Sequence, residues 1–184
     1  MLRLITNRLV MSALLAACLA PLPGSTLLQL SLNDMILKST TIVHGTVEPT
    51  YSELRGSMIY THYQVQVTKS YKGATVSTLD LAVPGGMLNG ARQSVAGAPA
   101  LAAGQDYFLF LWISKSGLTQ IIGLSQGLFQ VITNSSGQSI VSRAAASERM
   151  LDSSGQIITD LNIQMLLTKM ADRIQAVLAG GTGQ

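Results

Sequence analysis

Apolar and polar residues alternate most cleanly between Ile59 and Thr68. Ile59, Thr61, Tyr63, Val65 and Val67 fall on one side of the pattern, and Tyr60, His62, Gln64, Gln66 and Thr68 on the other. A period of two predicts a long strand with one buried and one polar face. After a turn at Lys72-Gly73, Leu79, Leu81 and Val83 repeat the alternation in a shorter strand, which Pro84-Gly85-Gly86 stops. Thr41 to Val47, rich in β-branched residues, predicts the strand before them. Between Asp106 and Ile113 the pattern becomes a continuous run, Tyr107-Phe108-Leu109-Phe110-Leu111-Trp112-Ile113. Such a strand needs cover on both faces, which places it at the centre of a sheet. Ser116-Gly117 turns into Thr119 to Ile122, and Leu128 to Thr133 pairs with Ser139 to Val141 across the turn-forming Asn134 to Gln138.

Helical spacing marks both ends of this β-rich stretch. Ser31 reads as an N-cap with Asp34 three residues on, so a short helix runs to about Ser39 and buries Leu32, Met35 and Ile36. Near the C-terminus Ile163, Leu166, Leu167, Met170, Ile174, Val177 and Leu178 form one apolar stripe, with Asp160 or Thr159 as its cap. Residues 179–184, rich in glycine, read as a flexible tail. The pattern predicts an α+β, mainly β domain over residues 25–178. Six or seven antiparallel strands form a small, partly closed barrel, with a short N-terminal helix and an amphipathic C-terminal helix. Residues 85–104 form a Gly/Ala-rich connection of about 20 residues, long for a compact domain. Met87, Leu88 and Asn89 in it are a candidate partner-binding loop, because apolar residues in a mobile loop can serve a partner surface.

The first 24 residues have the three parts of an export signal. Arg3 and Arg8 supply a positive start, Leu9 to Ala20 an apolar run, and Pro21, Pro23 and Gly24 its end. The run is about a dozen residues, short of the roughly 20 that span a bilayer. Leu15-Ala16-Ala17-Cys18 reads as a bacterial lipobox, making Cys18 a candidate lipidation site; ordinary cleavage near Ala20 or Gly24 is the alternative. The expected location is therefore extracytoplasmic: periplasmic, secreted, or held at the envelope through acyl chains on Cys18.

The leader also changes the charge balance. The chain has 12 Lys and Arg against 9 Asp and Glu, and losing Arg3 and Arg8 leaves 10 against 9. Those charges are scattered singly, which argues against a nucleic-acid partner. Cys18 is the chain's single cysteine, so the domain is expected to fold on its core without disulfides.

Motifs with chemical meaning are few. Gly123-Leu124-Ser125-Gln126-Gly127 matches the nucleophile elbow G-x-S-x-G, but strand-like residues follow it and both histidines, His44 and His62, precede it. A turn between strands is the expected reading. Two histidines without a cysteine in the domain give no zinc set, and Pro84 to Gly90 lacks the order of a phosphate loop. No cofactor or metal is expected. His44 reads as a core or edge residue and His62 as a surface residue of the polar face.

Taken in order, Ser39 to Val47, Thr61 to Lys72-Gly73, Pro84-Gly85-Gly86 and Ala103 to Leu111 resemble a set of uncharacterised bacterial exported proteins. The same order is similar to netrin-like domains, the OB-type barrels of tissue inhibitors of metalloproteinases, over roughly residues 39 to 131. The resemblance implies a barrel in an extracytoplasmic setting. It does not carry inhibition over, because those inhibitors use disulfides and a free N-terminal cysteine amine. The expected function is a non-enzymatic binding or assembly module with a protein partner or with itself. The alternatives are a hydrolase centred on Ser125 and a structural envelope protein that self-associates through an edge strand. The intact mass of the protein recovered from its native cells is expected to fall short of the full chain by 17 to 24 residues, with acyl chains added if Cys18 is the new terminus. The full-length mass would disprove the leader.

Overall fold

A computed structural model describes residues 26–180. The leader with Cys18, and the tail beyond residue 180, lie outside the described residues. The chain begins with β1 (Thr26–Leu28) and α1 (Leu32–Lys38). The predicted capping box is present: the Ser31 hydroxyl accepts from the Asp34 N–H at 3.0 Å, and Asp34 accepts from the Ser31 N–H at 3.3 Å. Leu32, Met35 and Ile36 are buried, as their spacing requires.

A long hairpin follows, β2 (Thr41–Arg55) and β3 (Met58–Lys72), and then β4 (Thr78–Pro84). β2 extends eight residues past the predicted Val47, because its second half takes its register from β3 and not from its own alternation. The β2–β3 register shifts at Ile42/Val43, His44/Gly45 and Pro49/Tyr51. Bulges of this kind bend and twist a strand, so one hairpin can wrap around a core. Gly45 suits the second bulge: any Cβ there would collide with the Gln66 carbonyl.

β5 (Gly86–Leu88) and β6 (Ala91–Gln93) pair in a two-stranded sheet of their own. Next come β7 (Asp106–Ile113), β8 (Thr119–Ile121), β9 (Leu128–Thr133) and β10 (Ser139–Arg143). β11 (Arg149–Leu151), β12 (Ile157–Ile158), β13 (Ile163–Leu166) and α2 (Leu167–Leu178) complete the chain. The main sheet runs β13-β10-β9-β7-β2-β3-β4, with β8 also on β7, and β1-β11-β12 form a third sheet. The fold is α+β and mainly β, with an antiparallel main sheet. The sheet curls until β4 lies beside β8, but no ladder joins them and the sheet is not closed.

β7 is covered on both faces, as its unbroken apolar run requires. Phe108 and Phe110 point into one core with Ile42, Phe129, Val141 and the buried residues of α1 and α2. Tyr107, Leu109 and Leu111 point into the other, inside the curl, with Val43, Val47, Val65, Leu81 and Ile121. Phe108, Phe110 and Phe129 form a tilted aromatic row with centroids 5.6 and 5.7 Å apart. Full burial of each such side chain contributes about 1.5–3 kcal/mol. Trp112 and Ile113 run past this cover and are exposed.

The expected C-terminal helix starts late. Ile163 to Leu166 pair with β10 as β13, and α2 begins at Leu167 with no side-chain cap. Asp160 is therefore not a cap. It is buried and holds Arg143 through two hydrogen bonds, 2.9 and 3.0 Å, and it also accepts from the Ala146 N–H at 2.8 Å. Burial alone would raise its pKa, but Arg143 and the Ala146 N–H outweigh burial and hold the carboxyl below its ordinary 3.8. A depressed carboxyl stabilises the fold fully above pH 3.8 and loses that contribution as pH falls through the lowered value. Asp160→Asn is expected to cost about 3–5 kcal/mol in urea unfolding at neutral pH, since it leaves a buried guanidinium without its counter-charge. The deficit relative to the parent chain should shrink as the pH drops below 3.8. A neutral-pH cost under 1 kcal/mol would mean that Arg143 finds another partner.

Candidate functional site

The largest departure from the expected loop is at residues 85–104. Asn89 (φ 49°) and Gly90 (φ 80°) both adopt positive φ, the requirement of a two-residue hairpin turn. The Asn-Gly dipeptide is the signal that the strand pattern alone passes over. The hairpin is tied to the start of β3: the Gly85 N–H donates to the Ile59 carbonyl at 2.7 Å, and Thr61 Oγ1 donates to the Gly85 carbonyl at 2.9 Å. The Gln93 side chain accepts from the Ile59 N–H at 2.6 Å and donates to the Ser57 carbonyl at 3.1 Å. Of the three candidate partner-binding residues, Met87 and Asn89 are exposed and Leu88 is half-buried. Ala98 and Leu101, farther along, pack on the inner core, so the segment is part of the domain and not a bare connection.

Beside this segment, where β4 and β8 approach without pairing, is a cleft of about 460 Å³. Ala82, Val83 and Pro84 of β4 form one wall, and Gln120, Ile121, Ile122 and Leu124 the other. Trp112, Pro99 and Leu30 are also in the lining, and among the described residues Lys38 is its only charged one. The size falls within the range of about 300–1,000 Å³ common to small-molecule sites, which are mostly apolar with few polar groups. A second hollow, beneath the β5–β6 hairpin, shares Val83, Pro84 and Pro99 with it.

The turn at Gly123 to Gly127 builds part of this cleft. Gly123 and Leu124 both have positive φ, and the Gly127 N–H returns to the Ile122 carbonyl at 3.0 Å. Gln126, within the turn, is buried. Its Oε1 accepts from the Leu30 N–H at 2.8 Å, and its Nε2 donates to the Leu28 carbonyl at 3.0 Å. One side-chain amide thus stands in for a neighbouring strand and sets Leu30 against the cleft. β9, not a helix, follows the turn, so Ser125 is not on a strand-to-helix elbow.

Neither histidine is presented to Ser125. His62 is buried, contrary to the surface position expected from the polar face. The β2 bulge at Pro49/Tyr51 lays the Tyr51 ring flat against it, 4.3 Å between centroids at 8°. Its Nδ1 is 2.8 Å from Asp80 Oδ2 and its Nε2 3.2 Å from Glu53 Oε1, and Glu53 also accepts from Arg55 Nε at 2.6 Å. His44 lies between the strands, with Nε2 3.9 Å from Asp106 Oδ2. Burial lowers its pKa below the ordinary 6.5, against the opposing effect of Asp106. Among the described residues, no group of three His, Cys, Asp or Glu is placed to hold a metal ion.

At the mouth of the cleft, Lys38 Nζ is 2.9 Å from Asp34 Oδ1, and both side chains are about half exposed. Lys72 donates to the Ile36 and Leu37 carbonyls at 2.7 and 2.9 Å, closing the end of α1. Burial lowers the pKa of Lys72 from its ordinary 10.5. Compared with protein-family models and with curated proteins, the chain finds no match in either.

Gln126→Ala is expected to cost about 1–3 kcal/mol in thermal or urea unfolding, because it strips partners from a donor and an acceptor at once. Ser125→Ala should stay within about 0.5 kcal/mol of the parent. Equal effects at the two positions would contradict the clamp.

Proposed function

We propose that this chain is a non-enzymatic binding module that works outside the cytoplasm and takes an apolar ligand into the cleft between β4 and β8. The observation that carries this reading is the cleft itself, about 460 Å³ of mainly apolar space left where the sheet curls but does not zip shut. We read the curled sheet as an OB-type barrel of the netrin-like kind with its last seam open. Closing that seam with a ladder would remove the space. The expected leader supports the location, and a lipidated Cys18 would hold the module beside a membrane with the cleft in water. Met87, exposed at the adjoining hairpin, adds an apolar contact for a larger partner.

Trp112 lines the cleft and is the chain's single tryptophan, so its fluorescence reports on that space alone. Titrating the purified protein with the neutral dye N-phenyl-1-naphthylamine is expected to change Trp112 emission and to saturate at one dye per chain. Leu124→Asn keeps a side chain that tolerates positive φ but removes apolar wall, and it should weaken binding severalfold. A linear, unsaturable response, or one indifferent to Leu124, would refute the reading.

A further inference from the structure

The occupant of the cleft can be narrowed by what the walls offer it. An added β-strand is the first candidate, since β4 and β8 each have a free edge there. Spacing rules it out. Cα atoms of the two strands come within 8 Å of each other, whereas a third strand between them needs about twice the usual 4.8 Å. The occupant is therefore not a strand inserted into the seam.

The lining constrains it further. Leu30, Val83, Ile121, Ile122 and Leu124 offer no hydrogen bonds from their side chains, and Gln120 is the one uncharged polar side chain beside them, so the lining suits a ligand whose body is mainly apolar. Charge in the lining is a single ammonium group, that of Lys38 at the C-terminal end of α1, and among the described residues no acidic side chain lines the cleft. The Lys38–Asp34 pair is exposed and uses only part of the ammonium, which has three donors, so Lys38 can meet a ligand carboxylate without leaving Asp34.

Resting on the binding-module reading, we propose that the cleft binds a single-chain anionic amphiphile, with its apolar chain between β4 and β8 and its terminal carboxylate on Lys38. Calorimetric titration of the purified protein with dodecanoate and with dodecan-1-ol, both below micellar concentrations, tests this. Dodecanoate is expected to bind about fivefold more tightly than the alcohol, the effect of one charge pair about 4 Å apart in water. Lys38→Gln should abolish that preference and leave the alcohol's affinity unchanged, and Lys38→Arg should restore it. Lys38 lies on the exposed end of α1, so these variants are expected to keep the parent's circular dichroism. Equal affinities for acid and alcohol, or a preference that survives Lys38→Gln, overturn the proposal. If neither amphiphile binds while N-phenyl-1-naphthylamine still does, the anionic ligand is wrong and the binding module stands. If none of the three binds, both fall.

Discussion

The two-sided burial of β7 is the constraint on which the rest of the molecule depends. Its side chains alternate between two separate cores, with Phe108 and Phe110 under the helices and Tyr107, Leu109 and Leu111 inside the curl. A strand without a polar face has no stable position at the edge of a sheet, so each neighbour must supply cover. α1 and α2 cover one side. On the other side no helix is present among the described residues, and the sheet bends over its own central strand. The bulges in β2 provide that bend, which brings β4 round to β8 and creates the cleft as a by-product of covering β7.

This dependence explains which parts were legible in the sequence. β7, the first half of β2, the β9–β10 hairpin and the capped α1 have signals inside their own residues, in periodicity, turn chemistry or capping. The second half of β2 has none: Pro49 and Glu48 read as a strand end, and only pairing with β3 carries the strand on to Arg55. Ile163 and Leu166 satisfy a helical stripe and a strand equally well, and the ladder to β10 decided between them. β1, β11 and β12, of two or three residues each, are too short for any period to appear.

The site was less legible than the fold for the same reason. Its walls come from six separate stretches of chain, and a motif match touches only one of them. The segment that did match a motif, Gly123 to Gly127, matters through Gln126, which the motif leaves unspecified. His62 shows the same limit in reverse. Alternation assigned it correctly to the polar face of β3, but that face is covered locally by Tyr51, and polarity of the face did not mean contact with water. What lies across from a residue, and not its own strand, decided each of these cases.

The pairing of β1 with β11 sets an order of events on the growing chain. Thr26 to Leu28 lie against Arg149 to Leu151 in parallel, and the Gln126 clamp on Leu28 and Leu30 comes nearly a hundred residues after them. Synthesis runs from the N-terminus, so the first described residues have no strand to join until the chain has been made almost to its last helix. The long hairpin and the central strand can collapse earlier, because their partners are nearer in sequence. The opening segment is thus fitted late, after the strands that follow it directly in sequence have found their partners.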